Sequence, residues 1–114
     1  MKLPYESSLL RVFIGESDKA EGRPLYEVIV EAARRRGLAG ATVLRGFLGF
    51  GANSRIHTSK ILRLSEDLPM VIEIVDAEEK IEAFLPELDK MVEEGMVTLE
   101  KVRVIAYRHN PKDL

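Results

Sequence analysis

The sequence predicts an α+β domain with two helices on one face of a four-stranded antiparallel sheet. Three observations carry that expectation. Apolar residues recur at helical spacing in two stretches, Leu25 to Ala33 and Ile81 to Met91. Four other stretches, near residues 9–15, 41–50, 70–75 and 95–107, are rich in extended-chain residues. Their order is β-α-β-β-α-β, and 114 residues hold one core, so 1–114 is a single domain. Such an order is the ferredoxin-like sandwich.

Residues 1–8 read as a loosely held lead-in. The first strand is Leu9 to Gly15, with Leu10, Val12 and Ile14 on one side and Leu9, Arg11 and Phe13 on the other. A polar loop, Glu16 to Arg23, follows. Pro24 opens the first helix, where a missing N–H costs nothing. Leu25, Val28, Ile29, Ala32 and Ala33 form its stripe, Arg34 to Arg36 suit its C-terminal dipole, and Gly37 ends it.

The second strand runs from Ala41 to about Phe50, and the third from Met70 to Val75 after Leu68-Pro69. Asp76 and Glu79 have capping-box spacing, which starts the second helix there. Ile81, Phe84, Leu85, Leu88 and Met91 line its inner face, and Pro86 should bend the helix without ending it. Gly95 to Tyr107 is the last extended region. Its apolar parity changes across Glu100-Lys101, which predicts a bulge or break.

Two helices cover one face of a sheet, so the other should be polar in a monomer. Here it carries Leu9, Phe13, Val71 and Val75, and an apolar patch of that kind predicts an oligomer interface. Arg11 and Glu73 lie among these positions as candidate partners across it.

Composition narrows the function classes. The chain has no cysteine, which excludes disulfides and thiolate metal sites. It shows neither an 18-residue apolar run nor a signal-peptide pattern, so a cytoplasmic location is the default expectation. The absence of glutamine, only two asparagines and 32% charged residues resemble a hyperthermophile's composition. The net charge of −2 conceals a split. Ala32 to Ser65 holds seven basic residues and no acid, whereas Glu66 to Glu100 holds twelve acids against Lys80 and Lys90. That pattern fits either an anionic ligand, a complementary subunit surface, or helix faces that happen to differ in sign.

The basic segment contains the most informative stretch, Gly40 to Lys60. Its strand dissolves at Gly46, Gly49 and Gly51, glycines that suit a bend or close approach of a ligand. Arg55, His57 and Lys60 follow and could hold an anion. The order G-x-x-G-x-G ends a strand without opening a helix, so it is not a dinucleotide fingerprint, and no P-loop is present. Arg45, Arg55, Lys101 and Arg103 are candidate phosphate or carboxylate partners, or ordinary ion-pairing residues. His57 and His109 are the only histidines, a poor basis for a metal site. Ser17, Lys19 and Arg23 precede a helix N-terminus, where solvated capping competes with anion binding. No nucleophile-base constellation is recognisable. Nucleic acid is not an expected partner, since the last strand offers only Tyr107 for stacking and the chain is acidic.

Gly40-Ala-Thr-Val43 followed by Gly49-Phe50-Gly51 resembles the strand-to-loop signature of the P-II signalling proteins. The longer set is Gly15-Glu16-x-Asp18-Lys19, Arg23-Pro24-Leu25-Tyr26-Glu27, Gly40 to Gly46, Gly49-Phe-Gly51 and Leu64-Ser65-Glu66-Asp67-Leu68-Pro69. It is similar to the P-II-like family called domain of unknown function 190, over nearly the whole chain. The resemblance implies a homotrimer with inward-facing sheets and small-molecule sites in intersubunit clefts. It also implies a partner-facing loop, here roughly Gly51 to Glu66, on a base of Gly46, Gly49, Phe50 and Gly51. Glu93 to Met96, Lys101 and Arg103 would form the second cleft wall. Glu93 and Glu94 stand where P-II proteins carry a basic, glycine-rich phosphate loop, which favours AMP over a triphosphate. No tyrosine between Gly40 and Asp67 matches the modified tyrosine of that loop.

The leading expectation is therefore a non-catalytic trimeric sensor that binds an adenine nucleotide, AMP preferred, and signals through residues 51–66. Its ligand-binding residues would be Arg45, Gly46, Gly49, Phe50, Gly51, Arg55, His57, Lys101 and Arg103, with no metal and no required cofactor. The alternatives are a ligand-independent scaffold or membrane-protein accessory, touching membrane only through a partner, and an enzyme on a phosphorylated metabolite using His57.

Overall fold

The computed structural model describes residues 2–50 and 67–108. Its elements are β1 (Glu6–Gly15), β2 (Lys19–Ala20), β3 (Arg23–Pro24), α1 (Leu25–Arg35), β4 (Thr42–Arg45), β5 (Pro69–Asp76), α2 (Glu78–Met91) and β6 (Met96–Arg103). The main sheet has the order β4-β5-β1-β6, with every neighbouring pair antiparallel. The predicted ferredoxin-like α+β plan is what the chain adopts.

Alternation along the two central strands builds the core. Leu10, Val12 and Ile14 of β1 and Met70, Ile72 and Ile74 of β5 are buried beneath Leu25, Ile29, Ala32 and Ala33 of α1 and Ile81, Phe84 and Leu88 of α2. Burying each large side chain of this set contributes about 1.5–3 kcal/mol. The whole predicted stripe of α1 is buried. Gly37, at φ 72°, ends that helix as expected. Pro86 lies inside α2, which continues to Met91.

Several expectations are corrected. The first strand begins at Glu6, and Ser7 and Ser8 are buried, because β6 pairs with the lead-in from Glu6 opposite Arg103. Pro24 sits just before α1 instead of opening it, and pairs with Lys19 in a two-residue ribbon where a polar loop is expected. The β4 strand stops at Arg45. Asp76 belongs to β5 and makes no capping box, since α2 starts at Glu78 without a side-chain cap. No bulge interrupts β6: its register against β1 is continuous from Met96 to Arg103. The parity change arises because Val97 and Leu99 share the helix-side face while Val102 lies on the other face. The strand ends at Arg103, beyond which Val104 N donates to Tyr5 O at 2.7 Å.

The face away from the helices holds a row Leu44–Val71–Phe13–Met96, then Thr42–Glu73–Arg11–Thr98, then Val75–Leu9–Glu100. Arg11 and Glu73 prove to be partners within one chain, with Arg11 Nε 2.8 Å from the Glu73 carboxylate. Glu100 meets the same guanidinium from the other side. On this face Leu44 and Met96 are exposed, Phe13, Val71 and Val75 are half-buried, and Leu9 is buried.

One surface pair has a pH signature. The Arg23 fork donates to both carboxylate oxygens of Glu31, at 2.6 and 2.9 Å, and this hydrogen bond above all holds the Glu31 carboxyl below its ordinary range. A carboxyl depressed in the fold supports it above the unfolded pKa and loses that support as pH falls through the folded one. In thermal unfolding, Glu31→Gln is expected to fall slightly below wild type at neutral pH. The two curves should converge in acid.

Candidate functional site

Three of the motif segments meet at one corner of the sheet. Gly46 N donates to Pro69 O at 2.6 Å, just past the end of β4. Pro69 has no N–H to give and sits at the first position of β5, where a proline is tolerated. A Cβ on Gly46 would lie 2.5 Å from Pro69 Cγ and 3.0 Å from its carbonyl oxygen, so only glycine permits this approach. Gly49 packs over the same ring.

The turn after β1 is stitched to that corner. Glu16 N donates to Leu68 O at 2.8 Å, and Ser17 N donates to the Asp67 carboxylate at 3.0 Å. Gly15 N donates to the Asp18 carboxylate at 2.9 Å. Arg45 and Glu16 form an ion pair at 3.1 Å across the junction. Both roots of the 51–66 segment are therefore fixed to the same rigid knot. From it Phe47, Leu48 and Phe50 project with exposures of 82, 69 and 76%.

The predicted site residues divide into three groups. Arg45, Gly46, Gly49 and Phe50 lie at the knot. Gly51, Arg55 and His57 lie outside the described residues. Lys101 and Arg103 are exposed near the end of β6, at the diagonally opposite corner. The register puts Arg45 beside Met70 and Ile14, and Arg103 beside Glu6. At about 3.4 Å per residue and about 4.8 Å per strand, the two corners are roughly 30 Å apart. One copy does not bring the two halves together.

The second corner opens onto a concavity of about 770 Å³ on the uncovered sheet face. Leu9 and Val75 form its floor, with Thr42, Glu73, Arg103 and Tyr107 at its margin. The 104–107 segment crosses from the β6 edge towards the start of β4, where the Tyr107 hydroxyl donates to Ala39 O at 3.1 Å. Asp76, 1% exposed, fixes the same turn by accepting from Ala39 N at 2.8 Å and from Ala77 N at 2.7 Å. Arg103 makes no ion pair among the described residues. A smaller cleft of about 280 Å³ is ringed by Asp18, Glu93 and Glu94 with Lys19, an acidic setting that disfavours phosphate. Among the described residues no acidic or histidine cluster is arranged to hold a metal ion, and no helix is long and apolar enough to cross a membrane.

Sequence reasoning missed the structural parts of both corners. Glu16, Asp67 and Pro69 stood within the family motifs but carried no role. A proline opening one strand after a glycine-spaced end of its neighbour is a readable signal for such a knot. The crossing of 104–107 had no such signal, because these residues have the pattern of a strand.

Comparison with known proteins places this architecture. The family described as "Uncharacterized ACR, COG1993", domain of unknown function 190, matches residues 7–104. The chain is 45% identical to a UPF0166 protein of Aquifex aeolicus (strain VF5) over 100 residues, covering 88% of this chain and 94% of that one. It is 35% identical to a UPF0166 protein of Methanocaldococcus jannaschii over 100 residues, covering 87% and 92%. Among solved structures, CPII of Thiomonas intermedia K12 bound to ADP and bicarbonate aligns with a TM-score of 0.58 at 20% identity, over 88% of this chain and 89% of that one. A Thermus thermophilus protein described as a putative PII-like signaling protein aligns with a TM-score of 0.61 at 18% identity, over 92% and 94%. At such identities the likeness is one of fold. The chain thus belongs to the domain of unknown function 190 family that its motifs resemble, and it is built on the PII-like fold.

Proposed function

We propose that this protein is a non-catalytic, cytoplasmic PII-like regulator that assembles as a homotrimer and binds an adenine nucleotide between subunits. AMP is the preferred ligand, and residues 51–66 carry the signal to a partner protein. The observation that carries this reading is the concavity of about 770 Å³, apolar on its floor and lined along the β6 margin by Val102 and Arg103. Its volume lies in the range of small-molecule sites, and its apolar floor with few polar groups suits a base bearing one anionic group. The roughly 30 Å between the two predicted halves supports a cleft shared by copies, because a nucleotide cannot span both halves of one chain. CPII, which shares the fold, has been solved with ADP and bicarbonate and with ADP, AMP and acetate.

Calorimetry with AMP, ADP, ATP and cyclic nucleotides tests the reading. AMP is expected to bind best, and Arg103→Ala to weaken it about tenfold, as loss of a charge-assisted hydrogen bond does. No heat with any nucleotide at millimolar concentration would overturn it.

A further inference from the structure

The uncovered sheet face carries an unbalanced charge cluster, of which only Glu73 also reaches the margin of the concavity. Arg11, at its centre, donates from Nε to Glu73 at 2.8 Å and from a terminal nitrogen to Glu100. Two carboxylates share one guanidinium, so each chain presents a net charge of −1 in the middle of this face. The neighbours offer no compensation. Thr42 and Leu44 flank it from β4, Val71 and Val75 from β5, Leu9 and Phe13 from β1, and Met96 and Thr98 from β6. The nearest cations along β6, Lys101 and Arg103, stand opposite Ser8 and Glu6 with the parity of the helix-side face, and neither pairs with these acids. In a single chain water screens the excess charge, since the side chains of Arg11, Glu73 and Glu100 are 37, 32 and 55% exposed.

We infer that this cluster couples assembly of the protein to proton uptake: copies that bury the face take up protons at the Glu73–Arg11–Glu100 cluster, and association tightens as pH falls. The inference rests on the oligomer reading above. Bringing several copies face to face removes water from like-charged clusters, and an unpaired buried carboxylate is strongly disfavoured. Protonating one carboxyl per chain leaves a one-to-one ion pair beside a neutral hydrogen-bonding acid. The assembled state then binds more protons than the separated chains, and by linkage acid favours assembly.

Sedimentation over a dilution series at about pH 8 and about pH 5.5 tests it, using wild type, Glu100→Gln, Glu73→Gln and Glu82→Gln. The last removes the same charge from the exposed side of α2, away from the face. Wild type and Glu82→Gln are expected to associate at least about tenfold more tightly at the lower pH. Glu100→Gln and Glu73→Gln should associate tightly at both, with the pH dependence largely lost and circular dichroism unchanged. An oligomer equally tight at both pH values, or a pH slope retained in Glu100→Gln and Glu73→Gln, overturns the inference and leaves the oligomer reading standing. A single-chain species at every pH and micromolar concentration overturns both.

Discussion

Phe84→Ala is expected to lower the unfolding free energy by about 3–5 kcal/mol, a large part of what a domain of this size possesses. Phe84 is fully buried on the inner face of α2, against a sheet whose side chains alternate in β1 and β5. Its ring fills space that neither helix can collapse into, because both are tied to the sheet at their ends. Urea titration followed by circular dichroism should show a lower midpoint with an unchanged slope. Phe84→Leu, which keeps most of the volume, should recover well over half of the loss. Equal effects of Leu and Ala would mean that packing around Phe84 is not what the structure describes.

The second large effect is expected at Asp76. Its buried carboxylate accepts from the backbone N–H groups of Ala39 and Ala77, with Lys80 Nζ 3.7 Å away. Asp76→Ala orphans donors at the end of β5 and should cost about 2–4 kcal/mol, at about 1–3 kcal/mol for each buried unsatisfied group. Asp76→Asn keeps one acceptor oxygen but turns an NH₂ towards the other donor, and should fall between. The change also has a functional readout. Ala39 to Thr42 wall the concavity, so Asp76→Asn is expected to weaken AMP binding several-fold even where the protein remains folded. An Asn variant with wild-type stability would show that these two hydrogen bonds contribute little.

The fold was largely legible because each core element has a pattern of its own. The α1 stripe and the alternation of Leu10, Val12 and Ile14 against Met70, Ile72 and Ile74 point to one buried layer whatever the tertiary detail. Edges were less legible. The Gly46–Pro69 approach ends β4 early, a long-range contact that no local pattern encodes, and edge pairing extends β1 back to Glu6. Asp76 reads locally as a helix cap, but its carboxylate is claimed by Ala39, 37 positions away. The candidate site was legible only in part. Its glycines and arginines were visible as residue types, but their distribution over two opposite corners depends on strand order. The Arg11–Glu73 pairing was expected across an oligomer interface and occurs between neighbouring strands of one chain.

The contact between Gly49 and Pro69 has an evolutionary consequence. The two residues are 20 positions apart in sequence yet touch, so everything between them is closed off at its neck. Doubling the length of such a segment costs only about 0.6 kcal/mol in closure entropy. Insertions and deletions there would leave the sheet register untouched, so the length of this stretch can vary between relatives while the sheet and helices stay the same.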